Sequence, residues 1–295
     1  LKKVNLLLPL LVVLFLLTSC TTNSDFETIE QSTIKGKDGV EIEVNKIRYN
    51  SDDTHVVGFI LKPTRMQTEK LPVLIFNRGG NQEYRKLDEN SIKYLAYLAS
   101  HQYIVVASQY RGADGGEGQD EYGGKDVSDI INFSKLANHL SYADPSRKVL
   151  LGYSRGGMMS YLAIKQGIDV KVAAVIGAPS DLMKFSSERK EIKSLLDELI
   201  GNPETKKIEY EERSAVYWPE KLHVPSLILH GDNDLDVNVE HSKKLDERLN
   251  EFGMPHKLIV YPFGSHSLGN YYEEAHLEIF SWFDTHLEDK MLNDD

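Results

Sequence analysis

Lys148-Val149-Leu150-Leu151-Gly152-Tyr153-Ser154-Arg155-Gly156-Gly157-Met158-Met159 decides the fold. The apolar run to Leu151 reads as a buried strand, and Met158, Met159, Leu162 and Ile164 space out a helix over residues 156–166. Between them, Gly152-Tyr153-Ser154-Arg155-Gly156 is G-x-S-x-G in the strand–turn–helix setting that this motif requires. Glycine on both flanks allows a turn sharp enough to push the Ser154 hydroxyl out at the edge of a sheet. The helix start then aims backbone N–H groups at developing negative charge. Ser154 is the candidate nucleophile.

Outward from this stretch, strands and helices alternate. Residues 40–49 and 55–61 read as strands, the first alternating Val40, Ile42 and Val44 with polar partners. Short apolar runs at 71–76, 103–107, 170–176, 224–230 and 256–261 read as further strands, most of them buried. Helices are expected over 91–100, 127–140 and 239–252, and Leu277, Phe280, Phe283 and Leu287 mark a closing one. This order implies an α/β fold: a mainly parallel central sheet with helices on both faces. Residues 181–219 are charged and largely helical, interrupt the alternation, and are expected to form a lid over the site.

A serine hydroxyl near neutral pH needs a base. His266, in Phe263-Gly264-Ser265-His266-Ser267 just after the strand ending at Tyr261, is placed to be one. The base needs an acid to hold its tautomer. His230-Gly231-Asp232-Asn233-Asp234-Leu235-Asp236-Val237 offers three carboxylates in the loop after another strand. The chain order serine, acid, histidine is that of the α/β-hydrolases. Asn77-Arg78-Gly79-Gly80-Asn81 follows the strand at 71–76. A glycine pair there brings bare backbone to a substrate oxygen, so the oxyanion hole is expected from the N–H groups of Gly80 and Arg155. Arg78 and Arg155 flank that site, either as a clamp for a substrate carboxylate or as ordinary surface charge. Met158 and Met159 read as core. Tyr271-Tyr272 reads as pocket lining or as helix-start packing. His276 and His286 lie ten apart and no H-E-x-x-H occurs, so no metal site is expected.

Several separated motifs, in order, resemble the catalytic domain of the prolyl oligopeptidase family. They are Gln109-Tyr110-Arg111-Gly112-Ala113-Asp114-Gly115-Gly116-Glu117-Gly118, Gly123-Gly124-Lys125-Asp126-Val127, Gly152-Tyr153-Ser154-Arg155-Gly156-Gly157, Arg213-Ser214-Ala215 and His230-Gly231. The likeness covers roughly residues 55–290. It implies an α/β-hydrolase fold and acyl transfer through a Ser–His–Asp triad. In that family the catalytic Asp lies four residues after this His and three before a Val, which selects Asp234. Family members carry an N-terminal β-propeller that filters substrates; only about 35 residues separate the N-terminal segment from the first core motifs, so none is expected here. The usual His before the glycine pair is Arg78, and the usual aromatic after the serine is Arg155. The triad therefore carries over while peptide specificity does not, and dienelactone-hydrolase-like or acetyl-esterase-like activity is the alternative. A third reading is a binding lipoprotein that has kept the scaffold without catalysis. The triad needs no cofactor.

The N-terminus reads as an address. Lys2 and Lys3 precede an apolar run over 4–17 and then Thr18-Ser19-Cys20. Leu17-Thr18-Ser19-Cys20 resembles the lipobox of bacterial lipoproteins. That resemblance implies a signal peptide at 1–19, lipid attachment at Cys20, a tether at 20–30, a hydrolase domain at 31–295 and a place in the cell envelope outside the cytoplasm. The 295 residues carry 34 Lys plus Arg against 45 Asp plus Glu, a net charge of −11, which argues against a nucleic-acid partner. A single cysteine excludes an intrachain disulfide and a cysteine zinc site.

Overall fold

A computed structural model describes residues 25–288. Nine strands form one sheet: β1 (Phe26–Lys35), β2 (Glu41–Ser51), β3 (Thr54–Pro63), β4 (Leu71–Asn77), β5 (Ile104–Ser108), β6 (Ala143–Tyr153), β7 (Val172–Ile176), β8 (Ser226–Gly231) and β9 (His256–Tyr261). Their order across the sheet is β1-β2-β3-β5-β4-β6-β7-β8-β9. The first three strands and the β3–β5 junction pair antiparallel. Every pairing from β5 onward is parallel. Parallel neighbours need a crossover, and the helices supply it: α1 (Glu89–Ser100), α2 (Val127–Ala137), α3 (Arg155–Lys165) and α7 (Glu240–Glu251), with α8 (Tyr272–Glu288) closing the chain.

Period-two alternation sends each central strand into two cores. Val73, Ile75, Val106 and Leu150 face the side covered by Phe133 of α2, Met158 of α3 and Leu245 of α7. Leu74, Phe76, Val105 and Leu151 face the side covered by Leu95 of α1 and Phe283 of α8. The sheet is thus a three-layer sandwich whose strand ends collect the loops that carry chemistry. Helix α1 begins earlier than its apolar pattern suggests, because the Asp88 carboxylate accepts the Ser91 N–H at 2.9 Å and caps the first turn.

One expectation changes. Residues 26–30, read as tether, form the first half of β1, an edge strand paired antiparallel with β2 with a bulge at Ile29. The stretch 181–219 holds α4 (Leu182–Glu188), α5 (Lys190–Leu199) and α6 (Lys207–Glu212). Leu182, Phe185, Leu196 and Tyr210 from it are buried against the core on the α3 side, so its inner face packs into the domain. The signal segment, Cys20 and the start of the tether lie outside the described residues.

Candidate active site

Ser154 stands between β6 and α3 at φ 56°, ψ −124°, a backbone geometry that an L-residue holds only when its surroundings leave no alternative. The surroundings are explicit. A Cβ on Gly156 would sit 1.9 Å from the Asn77 carbonyl oxygen, and one on Gly152 would sit 2.4 Å from that of Gly156. Both flanking glycines are therefore required by contact as well as by turn geometry. The Ser154 N–H donates to the Ile176 carbonyl at 2.8 Å, and the Gly157 N–H donates to the Ser154 carbonyl at 2.9 Å.

Of the three acids in the loop after β8, the structure brings Asp234 to the histidine: His266 Nδ1 lies 2.7 Å from Asp234 Oδ2. Asp232 and Asp236 are exposed, and Asp236 pairs with Arg189 instead. The other Asp234 oxygen accepts the N–H groups of Asp236 at 2.8 Å and Val237 at 2.9 Å. A second histidine supports it. His230 Nε2 lies 2.8 Å from the Val237 carbonyl, which can only accept, so that nitrogen carries the proton; it also lies 3.1 Å from Asp234 Oδ2. Burial pushes the Asp234 carboxyl up, but the hydrogen bonds from His230 and His266 and the His266 charge outweigh it and hold Asp234 well below the usual carboxylate range. Asp234 is therefore ionised, His266 donates from Nδ1, and its Nε2 is left to act as a base. Among the described residues no hydrogen bond joins Ser154 to His266, but both line one cleft with Gly79, Gly80 and Tyr153. Gly177, after β7, makes the room: a Cβ there would sit 3.0 Å from His266 Nδ1. Its position after a strand is a signal that sequence reading passed over.

The glycine pair divides its work. A Cβ on Gly79 would lie 3.2 Å from that of Ser154, so Gly79 supplies the close approach. Gly80 turns the loop at φ 71°, where a Cβ would strike the Tyr84 carbonyl. Neither the Gly80 N–H nor that of Arg155 donates a hydrogen bond among the described residues, which leaves both available to an oxyanion.

Arg78 and Arg155 are neither surface charge nor a substrate clamp. Both are buried, and their guanidinium groups are bound to the protein. Arg155 makes a two-pronged ion pair with Asp120, at 2.6 and 2.7 Å, bonds Asp126, and donates to the Gly80 carbonyl at 3.0 Å. Arg78 donates to the carbonyls of Gln109, Gly79 and Gln82. Asp120 also accepts the Gln82 N–H at 2.7 Å. The two arginines thus tie the glycine loop to the loop that follows β5. Asp120, Asp126 and Gln109 were not identified in the sequence as parts of the site.

Two cavities open here. One, of about 140 Å³, lies over Ser154 between Tyr122, Phe185, Ile192 and Val237, so the stretch expected as a lid does line the cleft. A larger one, of about 580 Å³, adjoins it at Gly79, Arg85 and Tyr153. Tyr272 lines the larger one, while Tyr271 packs on Tyr261 and donates to the Pro262 carbonyl. Met158 and Met159 are core. Among the described residues no cluster of three metal-ligating side chains occurs, and no helix is long and apolar enough to cross a membrane.

Residues 90–290 match the prolyl oligopeptidase family. The uncharacterized peptidase YtmA of Bacillus subtilis is 27% identical over 227 residues, which cover 76% of this chain and 86% of that protein. Human dipeptidyl peptidase 8 is 29% identical over 278 residues, 86% of this chain but 30% of that protein. The fold of Pyrococcus horikoshii acylaminoacyl peptidase superposes with a TM-score of 0.68 at 20% identity, over 86% of this chain and 42% of that one. This chain therefore spans nearly all of one relative and well under half of the larger ones.

Proposed function

The chain belongs to the prolyl oligopeptidase family and is a serine hydrolase; from that premise we propose that Ser154, His266 and Asp234 are its triad and that it cleaves amide bonds in short peptides. The observation that carries this reading is the Asp234–His266 contact, 2.7 Å long, in the cleft that also holds Ser154 in its strained turn. His266 Nε2 takes the Ser154 proton as Oγ attacks the carbonyl carbon. The N–H groups of Gly80 and Arg155 receive the oxyanion. The intermediate collapses as His266 returns the proton to the departing amine. Water, activated by the same nitrogen, then releases the acyl group from Ser154. The described residues form this one domain, with no β-propeller among them, and the cleft is the surface they offer a substrate.

The test is intact-mass measurement after exposure to a fluorophosphonate. One adduct on the protein and none on Ser154→Ala supports the triad. An unlabelled, folded protein overturns it and brings forward the binding-lipoprotein reading. A panel of aminoacyl amides, prolyl peptides and short acyl esters then separates peptidase from esterase. The same proposal includes lipid attachment at Cys20 and a place in the cell envelope, supported by Leu17-Thr18-Ser19-Cys20 and the apolar run before it. Loss of membrane association in Cys20→Ala is the expected result; unchanged fractionation overturns this part.

A further inference from the structure

The 580 Å³ cavity beside the cleft is too large to be a packing defect and falls within the range of small-ligand sites. Its walls are mostly apolar, with Phe76, Tyr94, Tyr153, Leu268, Tyr272 and Ala275; Arg78, already bound to backbone carbonyls, and the exposed Arg85 at the junction with the cleft also line it. In its wall, His276 Nδ1 lies 2.7 Å from the Tyr272 carbonyl and so carries the proton. The Tyr94 hydroxyl then donates to His276 Nε2 at 2.9 Å. That pair is neutral and mutually satisfied, and burial holds His276 below its ordinary range. This part of the wall therefore presents no charge and no unmet donor, and the aromatic walls favour an apolar guest.

Its position relative to the chemistry decides which part of a substrate it meets. The oxyanion is expected toward the N–H groups of Gly80 and Arg155, and those residues line the smaller cavity. The departing amine must lie where His266 can protonate it. The larger cavity is walled by Ser267 and Leu268, the two residues that follow His266. Tyr153 separates the spaces, its hydroxyl donating to the His266 carbonyl at 2.8 Å and its ring edge-on to the imidazole.

We propose that this cavity receives the first residue of the leaving group, and that the enzyme favours amides whose departing amine carries an aromatic or large aliphatic side chain. The proposal rests on the hydrolase reading above. It is read most directly by partition of the acyl-enzyme. A p-nitrophenyl ester of a short acyl chain acylates Ser154 and releases p-nitrophenol. An added amine then attacks the ester carbonyl, forms an amide, and leaves the proton on Ser154 Oγ by way of His266. Water competes and gives the acid. Phenylalaninamide should capture the acyl group at about one tenth the concentration that glycinamide needs. In Ala275→Leu, which fills the cavity, and in Tyr272→Ala, which removes a wall, that ratio should fall toward one. The ratio is internal to each protein, and fluorophosphonate labelling shows which variants are folded. Equal capture of both amines by the unaltered protein overturns the proposal, as does a preference that survives in both variants. A protein that neither labels nor acylates overturns the hydrolase reading instead, and this inference with it.

Discussion

Two groups of buried acids flank the same serine and do opposite things with their charge. Asp234, after β8, accepts a hydrogen bond from His266, the proposed base, with His230 Nε2 3.1 Å away as a second neighbour, and its charge orients a group that titrates. Asp120 and Asp126, in the loop before α2, face Arg155, a cation that never titrates near neutral pH. The first arrangement sets the state of a base; the second holds a loop. The bonding of each partner tells them apart. His266 lines the cleft with Nε2 unbonded, whereas both terminal nitrogens of Arg155 are held by two carboxylates and the Gly80 carbonyl, and its unbonded Nε is buried away from the cleft's solvent. Burial of charge next to a nucleophile is thus no guide to catalysis until the bonding capacity left over has been counted.

The largest expected effect lies on the reactive side. Ser154→Ala should lower kcat by about a millionfold, leaving only what binding and the oxyanion donors supply. Asp234→Asn should cost about ten thousandfold, because the amide no longer enforces the His266 tautomer. Asp232→Asn, two residues away on an exposed carboxylate, should leave kcat within about threefold. Steady-state rates on one amide substrate check all three. Equal losses in the two Asp variants would show that the loop, and not the Asp234–His266 contact, is what matters.

This contrast also marks what could be read from the chain alone. The parallel strands, their helices and Ser154, His266 and Asp234 were legible because each sits within or just after a local pattern: an apolar run, then a turn rich in glycine or acid. β1 was not. Residues Glu27, Thr28, Glu30, Gln31, Ser32 and Thr33 are exposed on an edge strand, so no alternation of apolar side chains announces it; pairing with β2 makes it a strand. Arg78 and Arg155 were misread for another reason. A cation in a loop sequence looks solvated, and the carboxylates that bury Arg155 lie 35 and 29 residues away. Burial of a charge is decided by such distant partners, which periodicity cannot see.

On the scaffolding side, Arg155→Met should act first on stability. Removing the cation leaves Asp120 and Asp126 buried without compensation, a loss of about 3–5 kcal/mol by urea unfolding. It also frees the Gly80 carbonyl, so the oxyanion loop loses a tie. Among molecules that remain folded, kcat should fall by about ten- to a hundredfold with little change in KM, since the donor is misplaced for the transition state more than for the substrate. A normal kcat with reduced stability would make Arg155 a fold residue alone.

The smallest effect separates Asp234 from Asp126 by the sign of their pH dependence; Asp120, which burial pushes up but Arg155 holds down, shifts the same way as Asp234. Asp234 is held below its unfolded value near 3.9, so its stabilisation is complete above about pH 4 and is lost as pH falls through the folded value. Burial pushes Asp126 the other way, its Arg155 contact only partly offsetting that. Its contribution is present below the unfolded value and is lost as pH rises through the folded one. Asp234→Asn should therefore be most costly near neutrality, with the gap to the parent protein closing as the solution is acidified below about pH 4. Asp126→Asn should behave in reverse: its stability relative to the parent should improve on going from pH 4 to pH 7, by about 1 kcal/mol for each pH unit that the buried carboxyl is raised. Urea unfolding of the parent and both variants at pH 3, 4, 5 and 7 gives the two slopes. Slopes of the same sign would mean that Arg155 holds Asp126 ionised as firmly as the histidines hold Asp234, and that the two sites differ in what they touch but not in how they carry charge.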